Sequence, residues 1–99
     1  MIILSISEDA LADLDDGFWF YELQEWGLGD YFASALKTEI EGLKITAGTH
    51  RRVYRDYYRL ICRVFPYAVY YTSSANIATI WAVIDCRRDP DWIREHLDS

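Results

Sequence analysis

Eight residues near the C-terminal end constrain the fold more than any others. Ile77-Ala78-Thr79-Ile80-Trp81-Ala82-Val83-Ile84 is apolar at odd and even positions alike. A strand of this kind has no face to give to water, so it belongs centrally in a sheet covered on both sides. The residues before it also read as sheet, from Arg51 onward. Tyr57 to Phe65 is predicted as one strand, Tyr67 to Thr72 as another and Ile77 to Asp85 as a third. Pro66 and Ser73-Ser74-Ala75-Asn76 supply the turns.

The first half has a different period. Ile2-Ile3-Leu4-Ser5-Ile6 is a short β-branched run, a buried strand predicted to join the sheet at an edge. Ser7 is placed to cap a helix whose first turn holds Glu8 and Asp9, where acids suit the positive end of the helix dipole. Ala10, Leu14, Phe18 and Tyr21 form one apolar stripe, and Trp19, Leu23 and Trp26 a second beside it. Two stripes call for two neighbours, a sheet and another helix. Gly17 weakens this helix by about 1 kcal/mol relative to Ala. Gly27-Leu28-Gly29 stops it, and Asp30 is positioned to cap a second helix carrying Phe32, Leu36, Ile40 and Leu43, which runs to about Thr46. A link this short makes the two helices an antiparallel hairpin. Asp89-Pro90 opens a last short helix ending near Leu97. The order is β-α-α-β-β-β-α, an α+β fold with the helical hairpin packed on one face of an antiparallel sheet. Ninety-nine residues suffice for one such core, so residues 1–99 are read as a single domain.

Charge is divided unevenly. Residues 1–48 hold ten acids and two lysines, a net of −8, whereas residues 49–99 hold eight arginines and six acids, a net of +2. The total of −6 argues against a general nucleic-acid coat. No apolar run approaches the roughly 18 residues of a membrane span. The opening Met1-Ile2-Ile3-Leu4 has no cationic flank, unlike a secretory leader. Two cysteines, Cys62 and Cys86, are too few for a disulfide scaffold and suit the reducing cytosol. The simplest role for the divided charge is pairing between the two halves; the functional one is a local face for an anionic group or partner.

Strand alternation places Arg55, Tyr57, Arg59, Ile61 and Arg63 on one face, turned away from the helices, with Tyr58, Leu60, Cys62 and Val64 on the core side. Arginine forks there fit either acids of this chain, a phosphate or an acidic partner segment. Arg87 and Arg88 follow the last strand and precede the last helix. They are candidates for an anion near its N-terminus unless Asp85, Asp89 and Asp91 neutralise them. Other chemistry finds little support. Nothing pairs Cys86 with His50 or His96 as a nucleophile and base, two His and two Cys are poorly spaced for a metal, and no glycine-rich phosphate loop exists. No cofactor is called for.

One run of motifs is distinctive as a set. Phe65-Pro66-Tyr67-Ala68-Val69-Tyr70-Tyr71, then Trp81-Ala82-Val83-Ile84-Asp85, then Cys86-Arg87-Arg88-Asp89-Pro90-Asp91-Trp92 resembles the RelE/ParE toxin superfamily, and its ParE-like branch in particular. The short strand, the helix from near Ala10 and Gly27-Leu28-Gly29 ahead of Phe32 extend the resemblance over nearly the whole chain. It implies the toxin half of a bacterial type II toxin–antitoxin pair, cytoplasmic and neutralised by a cognate antitoxin. Trp19, Leu23 and Trp26 become the candidate antitoxin groove. Arg55, Arg59, Arg63, Arg87, Arg88 and Trp92 become candidate contacts for target or antitoxin.

The superfamily divides between toxins that bind DNA gyrase and ribosome-dependent ribonucleases that cut messenger RNA. In the ribonuclease pattern an arginine stands about where this chain has Tyr70, and an acid–base aromatic falls near Trp92, which has no ionisable proton. A lysine-rich stretch is replaced by Arg51, Arg52 and Arg55, while a basic residue after the last strand is kept as Arg87 or Arg88. A general base must lose a proton near working pH, which arginine does not do. The resemblance therefore implies a gyrase-binding toxin before an enzyme. If the chain is a ribonuclease, Arg59, Arg63 and Arg87 surround the scissile phosphate with Tyr70 as base. A third reading is an antitoxin-binding module that reaches operator DNA only through its antitoxin, since the chain has no recognition-helix pattern.

Overall fold

The structure, a computed structural model, describes residues 1–99. Its elements are β1 (Ile3–Ile6), α1 (Glu8–Glu22), α2 (Leu28–Thr46), β2 (Arg51–Tyr54), β3 (Tyr57–Ile61), β4 (Tyr67–Ser74), β5 (Ile77–Asp85) and α3 (Pro90–Asp98). The strands make one sheet in the order β1-β5-β4-β3-β2. β1 takes the expected edge position but runs parallel to β5, so the sheet is mixed rather than antiparallel. Nothing in a four-residue apolar strand encodes its direction; packing beneath the helical hairpin decides it. β5 lies between β1 and β4, and β4 is the middle strand.

Two further departures come from the arginine-rich stretch. Arg51–Tyr54 is a strand of its own, turning at Arg55 and Asp56 to pair antiparallel with β3. Arg55 adopts φ 51°, a left-handed turn conformation that no propensity of arginine announces. β3 then ends at Ile61, short of Phe65, and residues 63–66 bend. Arg55 and Arg63 thus stand outside the strand on which alternation had placed them, and Val64 is exposed rather than core.

The helices start where the caps demand. Ser7 Oγ accepts the Ala10 amide at 3.0 Å. α1 ends at Glu22, whose carboxylate accepts the amides of Gly27 (3.0 and 3.1 Å) and Gly29 (2.9 Å). An acid that is ill-placed at the negative end of α1 thereby satisfies the positive end of α2. Gly27 is the N-cap of α2 at φ 89°, and Asp30 sits within its first turn instead of capping it.

Apolar residues fill both faces of the sheet, as β5 requires. Under the hairpin, Tyr21, Phe32, Leu36 and Leu43 pack on Val69, Tyr71 and Ile80. On the other face Ala68, Tyr70, Ala82 and Ile84 are covered by α3 through Leu97. A register shift at Tyr70/Tyr71 leaves Trp81 as the extra residue of β5 and turns Ala82 to the α3 face. The outer edge of β5 beyond β1 is closed by α1, where Asp13 Oδ2 accepts the Val83 amide at 2.9 Å.

Candidate functional site

The face opposite the hairpin is not bare, because α3 lies across it. Between α3 and β2-β3-β4 a cleft of about 250 Å³ remains. Arg59, Arg88 and Arg94 line it together with Tyr70, Cys86 and apolar side chains such as Ile61 and Ile93. Alternation within β3 directs Tyr57, Arg59 and Ile61 to this side, and α3 brings Arg94 to it from above.

The arginines differ in what holds them. Arg87 is clamped by Asp85 through Nε (2.9 Å) and Nη2 (2.6 Å), which draws the carboxyl of Asp85 below its ordinary value. Arg63 turns back to Glu39 of α2 at 3.4 Å, and Arg55 meets Asp98 at 3.1 Å. Arg52 faces Asp56 at 3.7 Å, and Arg94 pairs with Asp91 one turn earlier in α3. Arg88 has no carboxylate partner; it lies over the Trp92 ring at 4.2 Å, and Trp92 in turn stacks on His96 at 4.9 Å. Arg59 is half-buried and also lacks an acid. Of the predicted contacts, the structure brings Arg59, Arg88 and Trp92 toward one face and withdraws Arg55, Arg63 and Arg87 into ion pairs. Pairing between the acidic and basic halves is slight. Arg63–Glu39 and His96–Asp13 (3.5 Å) are its instances, so most acids of α1 stay unanswered.

Two arginines at or beside the cleft were not among the predicted contacts. Arg51 stands directly opposite Arg59 across β2 and β3, putting two like charges on one face. Arg94 arrives only through the docking of α3. The signal for Arg51 was the two-residue turn at Arg55-Asp56, which the chain does not mark with glycine or asparagine.

Tyr70 is 4% exposed, and burial pushes its phenol up although Arg59 draws it down. Burial likewise moves the thiol of Cys86 upward. The cleft therefore offers fixed positive charge and apolar walls, and none of these groups gives up a proton readily near neutral pH. Trp19 on α1 is 52% exposed; Leu23 and Trp26, expected to continue that helix, lie in the turn after its end at Glu22 and are 82% and 93% exposed. The second stripe of α1 is left open to solvent; α2 packs on the first.

No protein-family model and no curated protein matches this chain. Solved structures do. A chain of the chromosomal ParDE TA system from P. aeruginosa superposes with a TM-score of 0.73 at 14% identity, over 86% of this chain and 96% of that one. The isolated E. coli RelE toxin superposes with a TM-score of 0.64 at 16% identity, over 96% of this chain and 95% of that one. This chain has the RelE/ParE fold, a helical hairpin on a five-stranded mixed sheet with a short C-terminal helix.

Proposed function

We propose that this chain is the toxin of a type II toxin–antitoxin pair, and that it acts by gripping DNA gyrase rather than by cutting RNA. One observation carries the choice. The cleft gathers arginines and is lined by no carboxylate or histidine, and its buried Tyr70 and its Cys86 both have their protons held more tightly by burial. Such a surface binds and does not turn over. In this reading Arg59, Arg88 and Trp92 meet the target, Trp19, Leu23 and Trp26 meet the antitoxin, and the protein works in the cytoplasm. It touches operator DNA only through its antitoxin.

The ribonuclease reading keeps one point in its favour: Arg59, Arg88 and Arg94 in a single cleft suit a scissile phosphate. Two assays on the purified chain separate the readings. Inhibition of gyrase supercoiling with no ribosome-dependent cuts in messenger RNA is the expected result. Codon-phased cuts, lost in Arg59→Ala, would make the chain an enzyme. Activity in neither assay, with tight binding to the product of the neighbouring gene, would leave a regulatory binding module.

A further inference from the structure

Residues 47–50 carry the chain from α2 into the arginine edge of the sheet, and one side chain holds them there. Gly48 N–H donates to the Tyr71 hydroxyl at 3.0 Å, and His50 Nδ1 lies 2.5 Å from the same oxygen. Ala47 and Thr49 bond only back into α2, to the carbonyls of Leu43 and Thr46. Tyr71, fully buried in β4, is therefore the hydrogen-bonding hold that the sheet has on this loop. Directly after the loop, Arg51 enters β2 and takes its place opposite Arg59.

Hydrogens decide the roles in this triangle. Burial pushes the Tyr71 phenol up, against the pull of the Gly48 and His50 amides, so the phenol keeps its proton near neutral pH. An amide can only donate, so the Tyr71 oxygen accepts from Gly48. The hydroxyl hydrogen then needs an acceptor, and His50 Nδ1 is the one within reach. Nδ1 is therefore bare, and the neutral imidazole carries its hydrogen on Nε2. A second proton on the ring would sit on Nδ1 itself. Tyr71 would then face two N–H donors while its own buried hydrogen pointed at nothing, a costly arrangement. No carboxylate offsets that proton, since His96 is the histidine that meets an acid. The groups around His50 are Tyr71 from β4, Tyr58 of β3 stacked on it, and Arg51 and Arg52 of β2, the latter over the Tyr58 ring. From the end of α2, Lys44 and Glu41 are occupied with each other at 2.8 Å. We infer that His50 and Tyr71 form a proton-operated latch between the α2–β2 loop and the sheet. With His50 neutral, the latch holds residues 47–50 on β4 and steadies the start of β2. A proton on Nδ1 opens it and loosens Arg51 from its place opposite Arg59. The donor count sets the direction: the latch is closed at higher pH and opens as pH falls through the imidazole's titration. It needs neither gyrase nor an antitoxin, although the strand that it steadies borders the arginine cleft.

The test uses the full chain and two magnetic-resonance readings. A long-range proton–nitrogen spectrum at about pH 8 should show His50 as the Nε2–H tautomer. Hydrogen exchange at the Gly48 amide, corrected for its intrinsic rate, should be at least about fivefold less protected at about pH 5.5 than at about pH 8. His50→Asn puts a carbonyl oxygen, which does not titrate, where Nδ1 stands, and its Gly48 protection should be equal at the two pH values. Tyr71→Phe removes the hydroxyl and should leave Gly48 unprotected at both, with the His50 tautomers mixed. Circular dichroism at about pH 8 checks both folds; should Tyr71→Phe fail to fold, His50→Asn decides alone. A hydrogen on Nδ1 at high pH, or Gly48 protection that ignores pH in the unaltered chain, overturns the inference. So does the same fall in His50→Asn, which would move the sensor to His96 against Asp13.

Discussion

Gly17 shows what a single methyl group would do in this core. A Cβ built there comes within 2.5 Å of the Phe32 ring, and Phe32 is fully buried among Tyr21, Phe65 and Tyr67. Helix propensity alone favours alanine at this position by about 1 kcal/mol, but the ring has no room to retreat. Gly17→Ala is therefore expected to destabilise by about 1–3 kcal/mol in urea titration. A neutral or stabilising result would mean that α1 and α2 are less closely packed. Cys62 supplies a second residue-level prediction. Burial raises its thiol from 9.0 to about 12, and Tyr67 rises from 10.0 to about 12 for the same reason. Groups raised on folding bind their protons more tightly in the native state, so the stability they give is whole below the unfolded values and drains away as pH climbs toward the folded ones. Unfolding free energy should fall between pH 9 and pH 11 on that account. Cys62→Ala should flatten the lower part of that fall, measured against its own neutral-pH value. A thiol reagent should titrate exposed Cys86 at once and Cys62 only on unfolding.

Among the elements, the β4–β5 hairpin is the most instructive. Its loop is the pair Ala75-Asn76, both left-handed at φ 49° and 66°. Two such residues make the turn whose twist matches the strands, and asparagine suits it where alanine does not. Ala75→Gly should raise the melting temperature, reflecting a gain of about 0.5–1 kcal/mol; a loss would show that the alanine is not strained there. The four-residue sequence reading Ser73-Ser74-Ala75-Asn76 was two residues too long because Ser73 and Ser74 still pair with Ala78 and Ile77. α3 illustrates the opposite case, an element legible in sequence whose seat was not. Asp89-Pro90 announces its start, but only the apolar patch of Ala68, Tyr70 and Ala82 draws Leu97 down across the arginine face. Tyr57 then donates to Leu97 O at 3.2 Å and Tyr54 to Asp98 at 2.7 Å, fixing the helix over the cleft.

At the scale of the whole molecule, the unpaired arginines and the bare tryptophans belong to different elements. Arg51, Arg59 and Arg88, the arginines without an acid, lie on the β2–β3 and α3 side. The bare aromatics Trp19, on α1, and Trp26, in the turn that follows it, lie in the acidic half. If the proposed function holds, the two surfaces serve two separable partners. On the proposed function, Arg59→Glu with Arg88→Glu should reduce gyrase inhibition at least about tenfold and leave neutralisation by the antitoxin nearly intact. Trp19→Ala with Leu23→Ala should do the reverse. Loss of both activities in both variants would merge the two surfaces into one. The same separation explains why the total charge of −6 misleads, since the positive face is local and the negative charge resides on the helices.

The sequence by itself determined what is local. Period and caps marked β1, the helical hairpin, β4, β5 and α3, and the two-sided apolar run of Ile77 to Ile84 required cover on both faces. The cap at Ser7 was legible because it satisfies a backbone amide three residues on; the expected stop at Gly27 was not, since α1 already ends at Glu22 and Gly27 instead opens α2. Tertiary structure decided what depends on residues far apart in the chain. The parallel seat of β1, the early end of β3 and the folding back of Arg51–Tyr54 all follow from pairing across the sheet. Because strand alternation passes no farther than the strand itself, the expected stripe of Arg55, Arg59 and Arg63 shrank to Arg59. The arginines that share the cleft, Arg59, Arg88 and Arg94, come one each from β3, the β5–α3 link and α3, and no local pattern links them.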